Sequence, residues 1–335
     1  MSSPLRFERC PRLALSLIGA LAALVVSGCG GGGSDDAAGG PPPSSAAAAA
    51  IATANSSSNA CNAIRPFYWE IGDSGGALVS GSVNSSSDPT VYVASTWLSV
   101  ASASKWVYSS YFVQRTGALS ASDVKFLNFQ SGYASPGFSC EPGQTVQECV
   151  DFGSNGAYDA ADDGAFSYSG AHMQKHASLN GLGAMNNAML AAEIRGRLGN
   201  EIDLAYSLPQ PAGGVVTTAD HYAAMLRKVL RGDLKMRDAL GTHPVCTNPR
   251  TCANAAFAPT PPGESWHYSI GHWIEDDPDV GDGAFSSPGA FGFYPWIDRT
   301  KTSYGVVARG AAGGAIASVY CGRLIRKAWA TATAN

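Results

Sequence analysis

Apolar and polar positions follow three different rhythms along this chain. Phe67-Tyr68-Trp69-Glu70-Ile71-Gly72 and Gly76 to Val83 are rich in strand formers around a Gly turn, and Thr90 to Ala94 predicts another strand. From Ser102 the pattern turns helical. Lys105-Trp106-Val107-Tyr108-Ser109-Ser110-Tyr111 opens a mostly buried amphipathic helix that runs to Arg115 or Thr116 and is closed by Gly117. Leu179 to Leu198 is a second helical run, interrupted by Gly181 and Gly183. Asp220 to Leu230 is a third, capped by Thr217 or Thr218 and stopped by Gly232. Strand-like runs return at Trp266 to Ile274, Gly289 to Ile297 and Tyr304 to Arg309, and a final helix covers Ala315 to Ala330. Strands at both ends with a helical block between them define an α+β domain with a helical insertion at about residues 117–263.

The first sixty residues stand apart from this pattern. Arg6, Arg9 and Arg12 precede an apolar run from Leu13 to Val26, too short for a membrane span and suited to a signal peptide over 1–28. It ends Leu24-Val25-Val26-Ser27-Gly28-Cys29, which resembles a bacterial lipoprotein lipobox with Cys29 as the lipidated residue. Ordinary signal cleavage near the same place is the alternative, giving a secreted protein. Gly30 to Gly33 and the Pro/Ala/Ser tract up to Ser58 predict a flexible tether over 29–60, ahead of a folded domain at 61–335. Gly30 after the cysteine is similar to the pattern of outer-membrane sorting, facing the periplasm. Contact with a membrane is therefore expected only through the lipid.

Charged residues are 14% of the 335, and 22 Lys and Arg stand against 26 Asp and Glu. Without residues 1–28, which hold three Arg and one Glu, 19 basic and 25 acidic residues remain, so the net charge is near −6. No basic patch is visible, which argues against nucleic acid as a partner. Setting aside Cys10 and Cys29 leaves Cys61, Cys140, Cys149, Cys246, Cys252 and Cys321, an even set expected to form disulfides in an oxidising compartment. Cys140–Cys149 and Cys246–Cys252 would close short loops, leaving Cys61–Cys321 to join the ends of the domain. No spacing matches a zinc knuckle.

The candidate chemistry lies at Ser102-Ala103-Ser104-Lys105, where three-residue spacing puts hydroxyl and amine on one helix face. A desolvated lysine can take the serine proton, and the first helical turn offers free N–H groups for an oxyanion. Other motifs fall away. Gly72-Asp73-Ser74-Gly75-Gly76 matches the surroundings of a chymotrypsin-like nucleophile, but all six histidines follow residue 170 and none can precede it as its base, so a hairpin turn is expected. Ser122-Asp123-Val124-Lys125 is expected to be a solvated surface turn. His172 and His176 are four apart without an acidic ligand between them, and a polar helix face is expected rather than zinc. Asp276-Asp277-Pro278-Asp279-Val280-Gly281-Asp282 lacks the ligand spacing of a calcium loop and is expected to be a solvated acidic turn. No metal and no cofactor are expected.

Over about residues 65–330 the chain resembles the serine β-lactamase and penicillin-binding-protein superfamily, closest to its class C β-lactamase and esterase branch. The resemblance is carried by Ser102-Ala103-Ser104-Lys105, by Tyr168-Ser169-Gly170 in the place of Tyr-x-Asn, by Pro211 to Asp220, and by Tyr268 to Trp273 running into Ser287-Pro288-Gly289-Ala290-Phe291-Gly292. It implies an antiparallel sheet built from both chain ends, packed against a mostly helical lobe with the site between them. It also implies that Ser102 is the acylated nucleophile, that Lys105 helps remove its proton, and that Tyr168 shares the acid/base work. The N–H groups of Ser102 and Ala290 would form the oxyanion hole. Gly170, Ser287 and Gly289 would fall where substrate is held.

Two departures shape the expected activity. Gly170 replaces an amide that would contact lysine and substrate, and Ser287-Pro288-Gly289 lacks the cation of Lys-Thr-Gly or His-x-Gly. Lys301-Thr302-Ser303 does not substitute for it, because it falls on a hairpin turn between strand-like runs. Cleavage of a small-molecule or peptide-like ester or amide is therefore expected ahead of efficient β-lactam hydrolysis. The alternative is an envelope or binding protein that keeps the fold without useful catalysis.

Overall fold

The structure, a computed structural model, describes residues 44–335; the signal segment, Cys29 and most of the expected tether lie outside the described residues. In chain order it opens with α1 (Ser45–Asn55), β1 (Phe67–Asp73), β2 (Ala77–Val83), β3 (Leu98–Ser99), α2 (Ser104–Thr116) and α3 (Ala121–Leu127). It continues through α4 (Val146–Asp151), β4 (Phe166–Ser167), α5 (Ala171–Ala177), α6 (Asn187–Leu198), β5 (Leu204–Tyr206), β6 (Val215–Thr217), α7 (Ala219–Arg231) and α8 (Met236–Ala239). It closes with β7 (Val245–Cys246), β8 (Ala255–Phe257), β9 (His267–Ser269), β10 (His272–Glu275), β11 (Ala284–Ser286), β12 (Tyr294–Ile297), β13 (Ser303–Ala308) and α9 (Ala315–Thr331).

Eight strands form one antiparallel sheet in the order β2-β1-β13-β12-β11-β10-β9-β7. The β1–β13 ladder, with Tyr68 opposite Ala308 and Asp73 opposite Ser303, joins the two ends of the chain. This is the expected α+β architecture. Helix α2 is buried along Ser104–Val113, ten consecutive residues, and its Trp106 stacks on His272 of β10 at 5.6 Å. A helix enclosed on every side is the one on which rigid side-chain placement costs least additional ordering. On α9, the buried Arg326 and the half-buried Arg323 converge on Glu275, fully buried on β10, at 2.9 Å each. Tyr294 Oη donates to the same carboxylate at 2.6 Å.

Several expectations are corrected. Residues 45–60 are not tether: Ser45–Asn55 is a helix packed on α9, with Ala47, Ala49, Ala50 and Ala54 buried. Alanine has the highest helix propensity, and its small side chain lets two helices approach closely. Ser44 caps it by accepting the Ala47 N–H, and buried Thr53 accepts the N–H of the last residue, Asn335. Thr90 to Ala94 is irregular rather than a strand, and β11 had no predecessor in the apolar pattern. The segment around Ser122 is a short helix with a Ser120/Asp123 capping box, its Lys125 half-exposed and paired with Asp163 at 2.6 Å. The insertion is less separate than expected, because β7 pairs with β9 and extends the large sheet.

His172 and His176 lie on no polar face. Both are fully buried: His172 is stacked on Phe129, and His176 lies among Tyr108, Phe112 and Phe126 with Asp123 on its Nε2 at 3.0 Å. The acidic turn is only partly solvated. Asp277 accepts N–H groups from Ser265, Asp279 and Val280, and Asp282 pairs with Arg326. The disulfides Cys61–Cys321, Cys140–Cys149 and Cys246–Cys252 are all present.

Candidate active site

Ser102 sits in a single 3-10 turn, Ala101–Ala103, that feeds directly into α2. The preceding residue, Ala101, has φ of +44°, a region where L-residues are strained. Neighbouring elements hold this turn in place. Val100 N–H donates to Val215 O at 3.0 Å, Val215 N–H donates to Ser104 Oγ at 3.0 Å, and Tyr222 Oη donates to Ala103 O at 2.9 Å. The Pro211–Asp220 stretch is thus the buttress of the turn that carries Ser102.

One turn along, Lys105 is 5% exposed and its Nζ lies 2.9 Å from Ser102 Oγ and 2.9 Å from Ala212 O. Both partners are neutral. Burial lowers its ammonium to about 7, far below an ordinary lysine, so a large neutral fraction exists near neutrality. Lys105 Nζ also lies over the Tyr168 ring, 4.7 Å from its centroid. Tyr168 enters from β4 and is clamped by the Trp273 indole at 5.2 Å and by the edges of Phe129 and Tyr268. Burial pushes its phenol up to about 12, opposed by interactions with Ser102 and Trp273. Burial thus acts in opposite directions on the pair: Lys105 has the depressed value and Tyr168 keeps its proton.

The predicted oxyanion donors come from two elements. Among the described residues, neither the Ser102 nor the Ala290 N–H has an acceptor. Ala290 lies in a tight turn closed by Gly289 N–H to Phe293 O at 2.8 Å, and its carbonyl accepts Gly314 N–H at 3.0 Å. Ser287 Oγ donates to Ser102 O at 3.1 Å, so this side chain braces the Ser102 turn, in place of the expected role in holding substrate. Gly289 is needed for close packing, since a Cβ there would sit 2.1 Å from Val100 O. At Gly170 a Cβ would meet the Phe138 ring at 2.9 Å, so Phe138 takes up the space expected for an amide.

Two cavities meet at Ser102. One, of about 410 Å³, is bordered by Lys105, Phe138, Ser207, Leu208, Gln210 and Phe291. The other, of about 220 Å³, is bordered by Tyr168, Phe257, Pro259, Trp266, Trp273 and Ile316. Lys105 is the one charged side chain lining either among the described residues. Ser102, Lys105, Tyr168, Gly170 and Ala290 thus converge. Lys301 stays on the β12–β13 turn, its Nζ donating to Arg237 O at 2.9 Å. Sequence reasoning gave no role to Ala212 O, Phe138, Gln210, Phe257 or Trp266. A backbone carbonyl leaves no signature in sequence, and the remaining four occupy loops or short strands without periodicity.

No protein-family model matches the chain, and no curated protein matches it in sequence. Solved structures do match in fold. A candidate β-lactamase of Bacteroides dorei has a TM-score of 0.58 at 18% identity, covering 79% of this chain and 92% of its own. A D-stereospecific amidohydrolase of Streptomyces gives 0.56 at 13% identity, covering 83% and 98%. Simvastatin synthase of Aspergillus terreus gives 0.58 at 12% identity, covering 86% and 99%. The chain has the fold of the serine β-lactamase and penicillin-binding-protein superfamily. At these identities the likeness concerns fold.

Proposed function

We propose that this chain is a serine hydrolase that cleaves neutral esters or amides through an acyl-enzyme on Ser102, held in the cell envelope by lipid on Cys29. The observation that carries the reading is Lys105: a buried amine 2.9 Å from Ser102 Oγ with only neutral partners. A neutral amine donates to Ala212 O and keeps its lone pair for the serine proton. The Ser102 oxygen then bonds to the acyl carbon while the free N–H groups of Ser102 and Ala290 receive the oxyanion. Water later releases the acyl group by the reverse proton route. A lining with no charged side chain besides Lys105 among the described residues favours a substrate without a carboxylate to anchor, and the fold shared with an amidohydrolase is compatible with an amide as well as an ester.

Mass spectrometry after incubation with a fluorophosphonate tests the nucleophile. The expected adduct is on Ser102 and is lost in Ser102→Ala. An unlabelled Ser102, or a label that survives the substitution, would return the chain to a non-catalytic envelope protein. For the anchor, Cys29→Ser is expected to move the protein from the detergent phase to the aqueous phase.

A further inference from the structure

We propose that the 220 Å³ cavity beside Tyr168 is the leaving-group site, and that its aromatic walls select uncharged, ring-bearing alcohols or amines. This rests on Ser102 being the nucleophile and adds which side of the scissile bond each cavity holds. When the tetrahedral adduct collapses, the bond from acyl carbon to the departing oxygen or nitrogen breaks, and that atom needs a proton. Tyr168 lines the smaller cavity and Lys105 does not. The Tyr168 hydroxyl supplies the proton, and the Lys105 ammonium, which holds the proton taken from Ser102 and lies 4.7 Å from the tyrosine ring centroid, returns it to the phenolate oxygen through the water that enters once the group has left. The balance closes: the serine proton ends on the departing group, and both Tyr168 and Lys105 return to their starting states.

The walls decide what departs. Trp266 and Trp273 are 2% and 3% exposed and meet edge to face at 5.7 Å, forming a rigid floor. The Trp266 N–H donates to Glu264 at 2.8 Å, which fixes the orientation of the indole. Phe257, on the rim, is 55% exposed, a large apolar side chain without full cover in the fold. Its carbonyl accepts the Tyr168 N–H at 3.0 Å, which ties the rim to the proton donor through the main chain. Such a slot rewards a flat apolar ring and gives a charged group nothing to pair with.

The test uses ethyl, cyclohexylmethyl, benzyl and 4-carboxybenzyl acetates, reading the burst of released alcohol so that slow deacylation does not mask acylation. Benzyl should exceed ethyl in kcat/KM by at least about tenfold, the scale on which apolar pockets discriminate. 4-Carboxybenzyl should lose that gain. Phe257→Ala should lower the benzyl-to-ethyl ratio by about tenfold and leave the hexanoyl-to-acetyl ratio, measured with ethyl esters, within twofold of wild type. A fall in the hexanoyl-to-acetyl ratio instead would show that this cavity takes the acyl group and would overturn the proposal, as would no change in either ratio. Fluorophosphonate labelling of the same preparations separates the two readings: a labelled Ser102 without leaving-group selectivity sinks this inference alone, while an unlabelled Ser102 sinks both.

Discussion

Lys105→Met is the most demanding test of the site, because it should abolish activity and raise stability in the same molecule. Methionine is close to lysine in length, fills the same channel beside Ser102, and carries no charge. Burial holds the Lys105 ammonium at about 7 in the folded protein, against 10.5 for an exposed lysine. Below pH 7 both folded and unfolded chains carry the proton, and the folded chain bears the full cost of a buried ammonium. Between about 7 and 10.5 the unfolded chain binds a proton that the folded chain does not, so stability rises with pH through that window. With those limits, the lysine's contribution should improve by about 2 kcal/mol between pH 7 and 9, and by roughly 4 to 5 kcal/mol from pH 6 to 10.5. The methionine variant lacks this dependence, although it leaves Ala212 O without its donor at every pH. Urea denaturation of wild type and variant from pH 6 to 10 measures the difference directly. The variant should be the more stable at pH 6, and its advantage should shrink steadily above pH 7. A difference independent of pH, or a wild type more stable at pH 6, would refute the neutral-lysine account.

Other outcomes follow from the same geometry. The pH profile of kcat/KM should rise with an apparent pKa near 7, reporting Lys105, and show no fall from Tyr168 below pH 10, since that phenol is pushed up to about 12. Gly170→Asn should lose about 1–3 kcal/mol by overpacking against Phe138, and Phe138→Ala in the same chain should recover most of it, as a denaturant-midpoint comparison would show. Glu275→Gln leaves the buried Arg326 and the half-buried Arg323 short of their shared carboxylate and should cost about 3–5 kcal/mol by the same measurement.

Much of the fold was legible because its signals are local. The strand runs at Phe67 and Tyr304, the α7 cap at Thr218 and the stops at Gly117 and Gly232 are each written in a few adjacent residues. What was not legible depends on distant partners. The alanine run at 45–55 has the composition of both a linker and a helix, and burial against α9 decides between them. His176 is buried because Tyr108, Phe112 and Phe126 enclose it and Asp123 accepts its N–H, and three of those four lie more than fifty residues away. Ser102 and Lys105 could be paired by helical spacing. Tyr168 could be placed with them only through the resemblance, since its position depends on packing against Trp273, Phe129 and Tyr268.

The two departures from the family pattern then acquire a common electrostatic meaning. A third-motif cation would raise the potential at Lys105 and so help to keep it neutral, and an amide at residue 170 would offer it another polar partner. Here Ser287 braces the Ser102 carbonyl, Phe138 fills the space beside Gly170, and desolvation alone lowers the Lys105 ammonium. A base made by burial works only while its surroundings stay apolar and uncharged, because a carboxylate brought near it would stabilise the ammonium and remove the lone pair. On the proposed mechanism, the same walls that neutralise Lys105 should therefore disfavour an anionic substrate. Placing a lysine back in the third motif, as Ser287→Lys, should on this reasoning not restore β-lactam hydrolysis. It removes the brace on Ser102 O and puts a cation beside Ser102 without the amide at residue 170. Turnover of a chromogenic cephalosporin by Ser287→Lys at a rate matching its ester cleavage would show that the missing cation alone, and not the neutral architecture of the site, sets the choice of substrate.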